Sequence, residues 1–237
     1  MNDLISILKK IEQKNNNESP QVLEFFGTPG SGKTYLSELA YKRLNNSSNV
    51  VNKLSIDIGK MISIKRIIYK IFFIFYIIVV NFSVVLNAIQ LVRLFHLNVN
   101  PIMGKLLFNL LYVIGYIQFF KNHNQLLIMD QGFSQSIWSC IFHGNNKKFN
   151  FDIASSLLIK IFSKIKLKNI YVAHVKAEID KIELRLTTRS IKGNSDLNSG
   201  NHKIIKKGVK TTKLARNFLD YVSIHRPSFF IQDCINN

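Results

Sequence analysis

Gly27-Thr28-Pro29-Gly30-Ser31-Gly32-Lys33-Thr34 is the stretch of this sequence whose residue types and spacing could do chemistry. It spells G-x-x-x-x-G-K-[ST] without mismatch. An apolar run, Val22 to Phe26, leads into it, and a helical pattern (Tyr35, Leu36, Leu39, Ala40, Leu44) follows. Strand, glycine-rich turn and helix in that order are the context such a motif requires. Glycines at 27, 30 and 32 let the backbone adopt conformations that a β-carbon would block. Several N–H groups can then aim at one chain of phosphates. The following helix would turn its positive end toward the same anion. Lys33 would reach the β- and γ-phosphates, and the Thr34 hydroxyl would ligate Mg²⁺. The spelling implies a site for a nucleoside triphosphate, with ATP and Mg²⁺ as the expected cofactors.

A second stretch, Gln125-Leu126-Leu127-Ile128-Met129-Asp130, reads as a buried parallel strand that delivers a carboxylate at its C-terminal end. Beside a phosphate-binding loop, Asp130 is expected to hold Mg²⁺, directly or through water. The competing reading makes Asp130 a cap for a helix beginning near Phe133, and both can hold together. Gln131 stands where a hydrolysing ATPase would want glutamate. Phe133 fills the fourth position of a GTPase Asp-x-x-Gly, and no Asn-Lys-x-Asp stretch occurs. Elimination points to a phosphotransferase.

A third stretch pairs a strand, Asn169 to Val175, with a helix, Lys176 to Arg189. Arg185 and Arg189 are four apart and share a helical face. They lead into the polar segment Ser190–Asn201, read as a mobile flap. Arginines that close over ATP neutralise charge on the transferring group and exclude water. The competing reading is two solvated surface arginines.

In this order the three stretches resemble a P-loop small-molecule kinase of the nucleoside/nucleotide kinase family, thymidylate-kinase-like. The resemblance rests on Val22–Leu44, Gln125–Trp138 and Asn169–Arg189, under half of the chain. It implies a three-layer α/β/α P-loop NTPase fold with a five-stranded parallel sheet. It places Lys33, Arg185 and Arg189 around the phosphates and implies transfer of the γ-phosphoryl group to a small-molecule acceptor. Asp57 loosely matches the position where related nucleoside kinases keep a carboxylate base, and is the candidate for that role. The chain departs from the family at Gln131, where thymidylate kinases place arginine. It departs again in its long apolar middle, where such kinases build the acceptor site.

The remaining elements must position these groups. Leu4 to Lys14 is an amphipathic helix and Asn15–Pro20 a polar linker. Val50–Ile58 reads as a second strand, with Asp57 near its end, where α/β folds gather ligand-contacting groups. Leu214–Val222 reads as a helix after the basic stretch Lys203–Lys213. Ser228–Asp233 reads as the fifth strand, and the loop His225–Pro227 before it is a candidate to contact adenine. The whole chain, 1–237, reads as one domain, with an apolar helical insertion at 60–121 between strands two and three. Two segments of that insertion, Ile67–Leu86 and Ile102–Phe120, are each about long enough to cross a bilayer. One reading buries both beside the sheet, which Asn81, Asn87, Gln90 and Asn109 favour. The other makes them a membrane hairpin flanked by Lys60, Lys65, Arg66 and Lys121 on the cytoplasmic side.

The formal charge of +18 suits a phosphate-rich partner or an anionic membrane surface, or reflects a general bias toward Lys, Asn, Ile and Phe. No aromatic–basic platform for nucleic acid is present. Cys140 and Cys234 lie far apart, and the six histidines have no ligand-like spacing, which argues against a protein-bound zinc. No cleavable signal is legible in Met1–Asn17, so the expected location is cytoplasmic, with the inner face of a membrane as the alternative. The alternative function is an NTP-hydrolysing regulatory or membrane-associated P-loop ATPase.

Overall fold

The computed structural model describes residues 2–14, 21–45, 51–95, 101–120, 125–144, 150–190 and 202–236. Among them, five strands form one all-parallel sheet: β1 (Gln21–Phe26), β2 (Val51–Asn52), β3 (Leu126–Met129), β4 (Asn169–Lys176) and β5 (Phe229–Ile235). Their order is β2-β3-β1-β4-β5. The chain therefore leaves β1 toward one edge and returns to build the other. The crevice between the C-terminal ends of β1 and β3 is the switch point where such sheets bind ligands.

Helices cover both faces: α1 (Asn2–Lys14), α2 (Lys33–Asn45), α3 (Leu54–Lys60), α4 (Ser63–Val80), α5 (Phe82–Phe95), α6 (Pro101–Phe120), α7 (Phe133–His143), α8 (Phe151–Lys164), α9 (Ile179–Ser190) and α10 (His202–His225). Side chains alternate across a strand, so each strand feeds two cores. Leu23, Phe25, Leu126 and Ile128 pack with α1 and α2 on one face. Val22, Phe26, Leu127 and Met129 pack with α5 to α8 and α10 on the other. This is an α/β architecture compatible with three layers.

Three expected elements differ from the sequence reading. The second strand is only Val51–Asn52, because Asn52 turns the chain. Its Oδ1 accepts from Leu54 N at 2.9 Å and from Tyr116 Oη at 2.8 Å, and α3 begins at once. Such a side-chain turn competes with continued strand pairing. Asp57 thus sits in the first turn of α3, not at a strand end. The helix expected at Leu214–Val222 is the central part of the much longer α10. Ile205, Gly208, Thr212, Ala215, Leu219 and Val222 line its buried face, so the apolar stripe runs straight through the basic stretch. The lysines simply occupy the outer face. The helix expected from Lys176 starts at Ile179, since Lys176 still pairs with Ile235 of β5. Residues 191–200 and Asn201, where the flap was expected, lie outside the described residues.

The two segments of the apolar middle differ from one another in the structure. α6 is long and apolar enough to cross a membrane, yet most of it is buried in the protein. Ile67–Leu86 is not one straight span. The chain breaks at Asn81, and α4 and α5 diverge by 115°. Asn81 stabilises the break by accepting from Ser83 Oγ at 2.9 Å and donating to the Lys164 carbonyl at 3.3 Å. α4 crosses α6 closely at Gly115, where a Cβ would lie 2.0 Å from the Phe73 carbonyl oxygen. Phe73 then enters an aromatic cluster with Tyr112, Tyr116 and Phe119.

Candidate functional site

The loop between β1 and α2 is shaped by its glycines. Gly30 and Gly32 have φ of +88° and +98°, a region that side chains with a Cβ rarely adopt. Gly27 is required by proximity, since a Cβ there would stand 2.5 Å from the Val175 carbonyl oxygen. Thr28 O accepts from Ser31 N at 3.0 Å, which closes the turn, and Leu36 N reaches Gly32 O at 3.1 Å as α2 begins. The first N–H groups of α2 thus open onto the loop, without partners of their own in the helix. The Ser31 Oγ is buried in the loop without a hydrogen-bond partner.

Lys33 folds back over the loop, donating from Nζ to Gly27 O at 2.8 Å and Thr28 O at 3.2 Å. Thr34 Oγ1 donates to Asp130 Oδ2 at 3.1 Å. β3 lies next to β1, with Glu24 opposite Met129 in the ladder, so the residue after β3 arrives beside the residue after the loop. Burial pushes the Asp130 carboxyl above its usual range, against the opposing hydrogen bond from Thr34 and the charge of Lys33. A divalent cation here would offset that burial, so a hydroxyl and a desolvated carboxylate side by side fit one. Among the described residues no group of three His, Cys, Asp or Glu could hold a metal ion by itself. The remaining ligands would have to come from beyond these two side chains.

Arg185 of α9 is already at the loop: Nη1 donates to Gly30 O at 3.2 Å and Ser31 O at 3.1 Å. The buried Ile182 and Leu186, on the same helical face, press against Gly30 and fix that approach. Arg189 belongs to α9 one turn further on, and its side chain lies outside the described set. Asp57 is not brought in. It forms an ion pair with Lys53 at 3.7 Å and is absent from the lining of the cleft beside the loop. Nor can His225–Pro227 approach a nucleotide on the loop. That turn precedes Phe229, which pairs with Ile170, at the N-terminal edge of the sheet, opposite the glycine-rich loop.

Beside the loop lies a cleft of about 700 Å³. Pro29, Lys33, Thr34, Asp130 and Gln131 form one wall. α6 supplies Ile102, Lys105, Leu106 and Asn109, and α7 supplies Gln135, Trp138, Ser139 and His143. Asp130 is the sole carboxylate among the described residues lining it.

Three supporting contacts escaped the sequence reading. Glu24, at the centre of β1, is fully buried and accepts from Ser134 Oγ and Gln135 N, each at 3.1 Å. It caps α7 from another strand, and Gly132 is what lets it approach, since a Cβ there would meet Glu24 Cδ at 2.6 Å. Burial pushes its pKa up to about 7, although the backbone and side-chain hydrogen bonds oppose this. The signal in the sequence was an acid inside the apolar run Val22–Phe26. Thr28 Oγ1 shares a 2.9 Å hydrogen bond with Thr212, which also accepts from Trp138 Nε1 at 2.9 Å, tying the loop to α10 and α7. Asn236 Nδ2 donates to Ser31 O at 2.7 Å. The last two contacts depend on pairing across the fold and carry no local spelling.

The chain matches no family model, and no curated protein matches it significantly.

Proposed function

We propose that this protein is an ATP- and Mg²⁺-dependent phosphotransferase of P-loop type, passing the γ-phosphoryl group to a small-molecule acceptor in the cleft. The observation that carries the reading is convergence. Lys33 with Thr34, Asp130 and Arg185, from three separate places in the chain, meet at one glycine-rich loop that opens into a cleft.

In this reading the loop amides and Lys33 hold the triphosphate, with Lys33 exchanging the Gly27 and Thr28 carbonyls for β- and γ-oxygens. Thr34 and Asp130 would hold Mg²⁺, which would supply neutralisation of phosphate charge. Arg185 swings from the Gly30 and Ser31 carbonyls to the transferring group, joined by Arg189. Apolar groups from α6 and α7 limit water at the reacting end. With Asp57 elsewhere, no second carboxylate among the described residues lines the cleft to act as a base. Lys105 and His143 instead favour an acceptor carrying its own negative charge, such as a phosphate or carboxylate oxygen that is already ionised.

The test is ATP turnover by the purified protein with and without pooled nucleosides, nucleotides, sugars and lipid head groups, using Lys33→Ala as control. ADP release that one anionic pool stimulates and that the variant loses is the expected result. Slow hydrolysis equal in every pool would overturn acceptor transfer and favour an NTP-hydrolysing regulator.

A further inference from the structure

α4 has two apolar faces, and only one of them is used by the fold. Phe73 and Ile77 are buried and pack toward α6. On the other side Ile64, Ile68, Phe72, Phe75 and Val79 follow a helical i, i+4, i+8, i+11, i+15 spacing and are exposed, Phe75 and Val79 each 67%, while the half-exposed Phe72 also meets the Phe119 ring. Phe82 and Leu86 of α5, beyond the bend, are exposed as well. A contiguous apolar face of this length marks a partner surface, whereas scattered exposed apolar residues do not.

Charge decides between partners. None of residues 58–129 is acidic, whereas seven lysines and arginines fall in that stretch. Lys65 and Arg66 flank the N-terminal end of the apolar stripe, whereas Lys60 just before it is paired with Glu38. A second copy of this chain laid on the same face would set these cations against one another. An anionic lipid surface complements them. Geometry decides between lying and crossing. Eighteen residues at about 1.5 Å per residue make a rod of roughly 27 Å, but α5 turns away from it by 115° and the back of α4 is fixed to α6.

We propose that α4 lies in the plane of an anionic bilayer, sinking the Ile64–Val79 stripe into the headgroup–acyl boundary with Lys65 and Arg66 against lipid phosphates. This goes beyond the phosphotransferase reading and does not rest on it. The docking would hold the α4–α6 pair, and with it the α6 wall of the cleft, at a membrane surface.

The test is cosedimentation of the full chain with vesicles of phosphatidylcholine alone and of phosphatidylcholine mixed with phosphatidylserine. The expected result is binding to the mixed vesicles that weakens in salt without vanishing, because screening acts on the charges and not on the apolar seat. Ile68→Ser/Phe75→Ser alters only exposed side chains, and its thermal unfolding should match the parent. It should partition roughly 100-fold more weakly, about tenfold for each apolar residue removed. Lys65→Gln/Arg66→Gln should lose the preference for phosphatidylserine and keep residual binding. No binding to either vesicle, or unchanged binding by the serine variant, would overturn the proposal. So would a soluble dimer that the serine variant dissociates, which would assign the face to a second copy. Extraction only by detergent would overturn the in-plane placement in favour of a spanning segment.

Discussion

Thr34 and Asp130, separated by 96 positions in sequence, share a hydrogen bond of 3.1 Å between Oγ1 and Oδ2. Two adjacent parallel strands bring about this meeting, β1 ending in the glycine-rich loop and β3 ending in the acid. If the pair holds Mg²⁺, Asp130→Asn keeps the shape and the hydrogen bond but removes the charge the cation needs. ATP turnover should fall on the order of 10²-fold or more, with the Mg²⁺ concentration for half-maximal activity raised. Titrating Mg²⁺ at fixed ATP checks this. Unchanged Mg²⁺ dependence would remove Asp130 from the site.

Arg185 predicts a different kinetic signature. Its guanidinium rests on the Gly30 and Ser31 carbonyls, so it is held at the glycine-rich loop without being consumed by an ion pair in the described set. Arg185→Ala should lower kcat by about 10³-fold with a much smaller change in KM, as for an arginine acting on the transferring group. Arg185→Lys should recover little of this, because a point charge cannot reproduce the planar fork. Steady-state kinetics of the two variants provide the measurement. Equal losses in KM and kcat/KM with kcat intact would make Arg185 a ground-state binder.

The parts of this site that were legible in sequence are local. The loop spelling from Gly27 to Thr34, the apolar run ending in Asp130 and the strand–helix bearing Arg185 each announce themselves within ten or so residues. Four of the five strands were legible as well, as short, largely apolar runs bounded by turn chemistry, and the second was legible only at its start. What failed depended on one side chain or on distance. Asn52 cut the second strand short by folding its amide onto Leu54 N, which moved Asp57 onto a helix. Asn81 split an apolar run that composition alone reads as continuous. Thr212, Trp138 and Asn236 reach the loop only through the tertiary fold.

Two glycines in α6 should respond oppositely to the same substitution. At Gly115 a Cβ would lie 2.0 Å from Phe73 O and 2.7 Å from Phe73 C, both backbone atoms, so no rotamer change relieves it and α4 must back away. Gly115→Ala should destabilise by roughly 1–3 kcal/mol despite the better helix propensity of alanine. At Gly104 a Cβ meets nothing within 4 Å, so Gly104→Ala should stabilise by about 0.5–1 kcal/mol. Urea unfolding of both variants measures the contrast, and a stabilised Gly115→Ala would show that α4 does not seat on α6 this way.

Glu24 makes stability depend on pH in the opposite sense to an ordinary surface carboxylate. Its folded pKa is pushed up to about 7 from 4.5, chiefly by burial, so between those values the folded state binds the proton that the unfolded chain has released. The stability contributed by this site is full below about pH 4.5 and is lost as pH rises through about 7. The difference amounts to roughly 3 kcal/mol at 1.36 kcal/mol per pKa unit. Glu24→Gln keeps an oxygen for Gln135 N and an amide that can meet Ser134 Oγ, while removing the titration. The variant should therefore match the parent near pH 5 and exceed it by up to roughly 3 kcal/mol near pH 8, in urea unfolding without nucleotide. A parent and variant that track each other across this range would mean that Glu24 stays ionised beneath the α7 N-terminus. In that case the helix dipole and the hydrogen bonds from Ser134 and Gln135 would outweigh the burial.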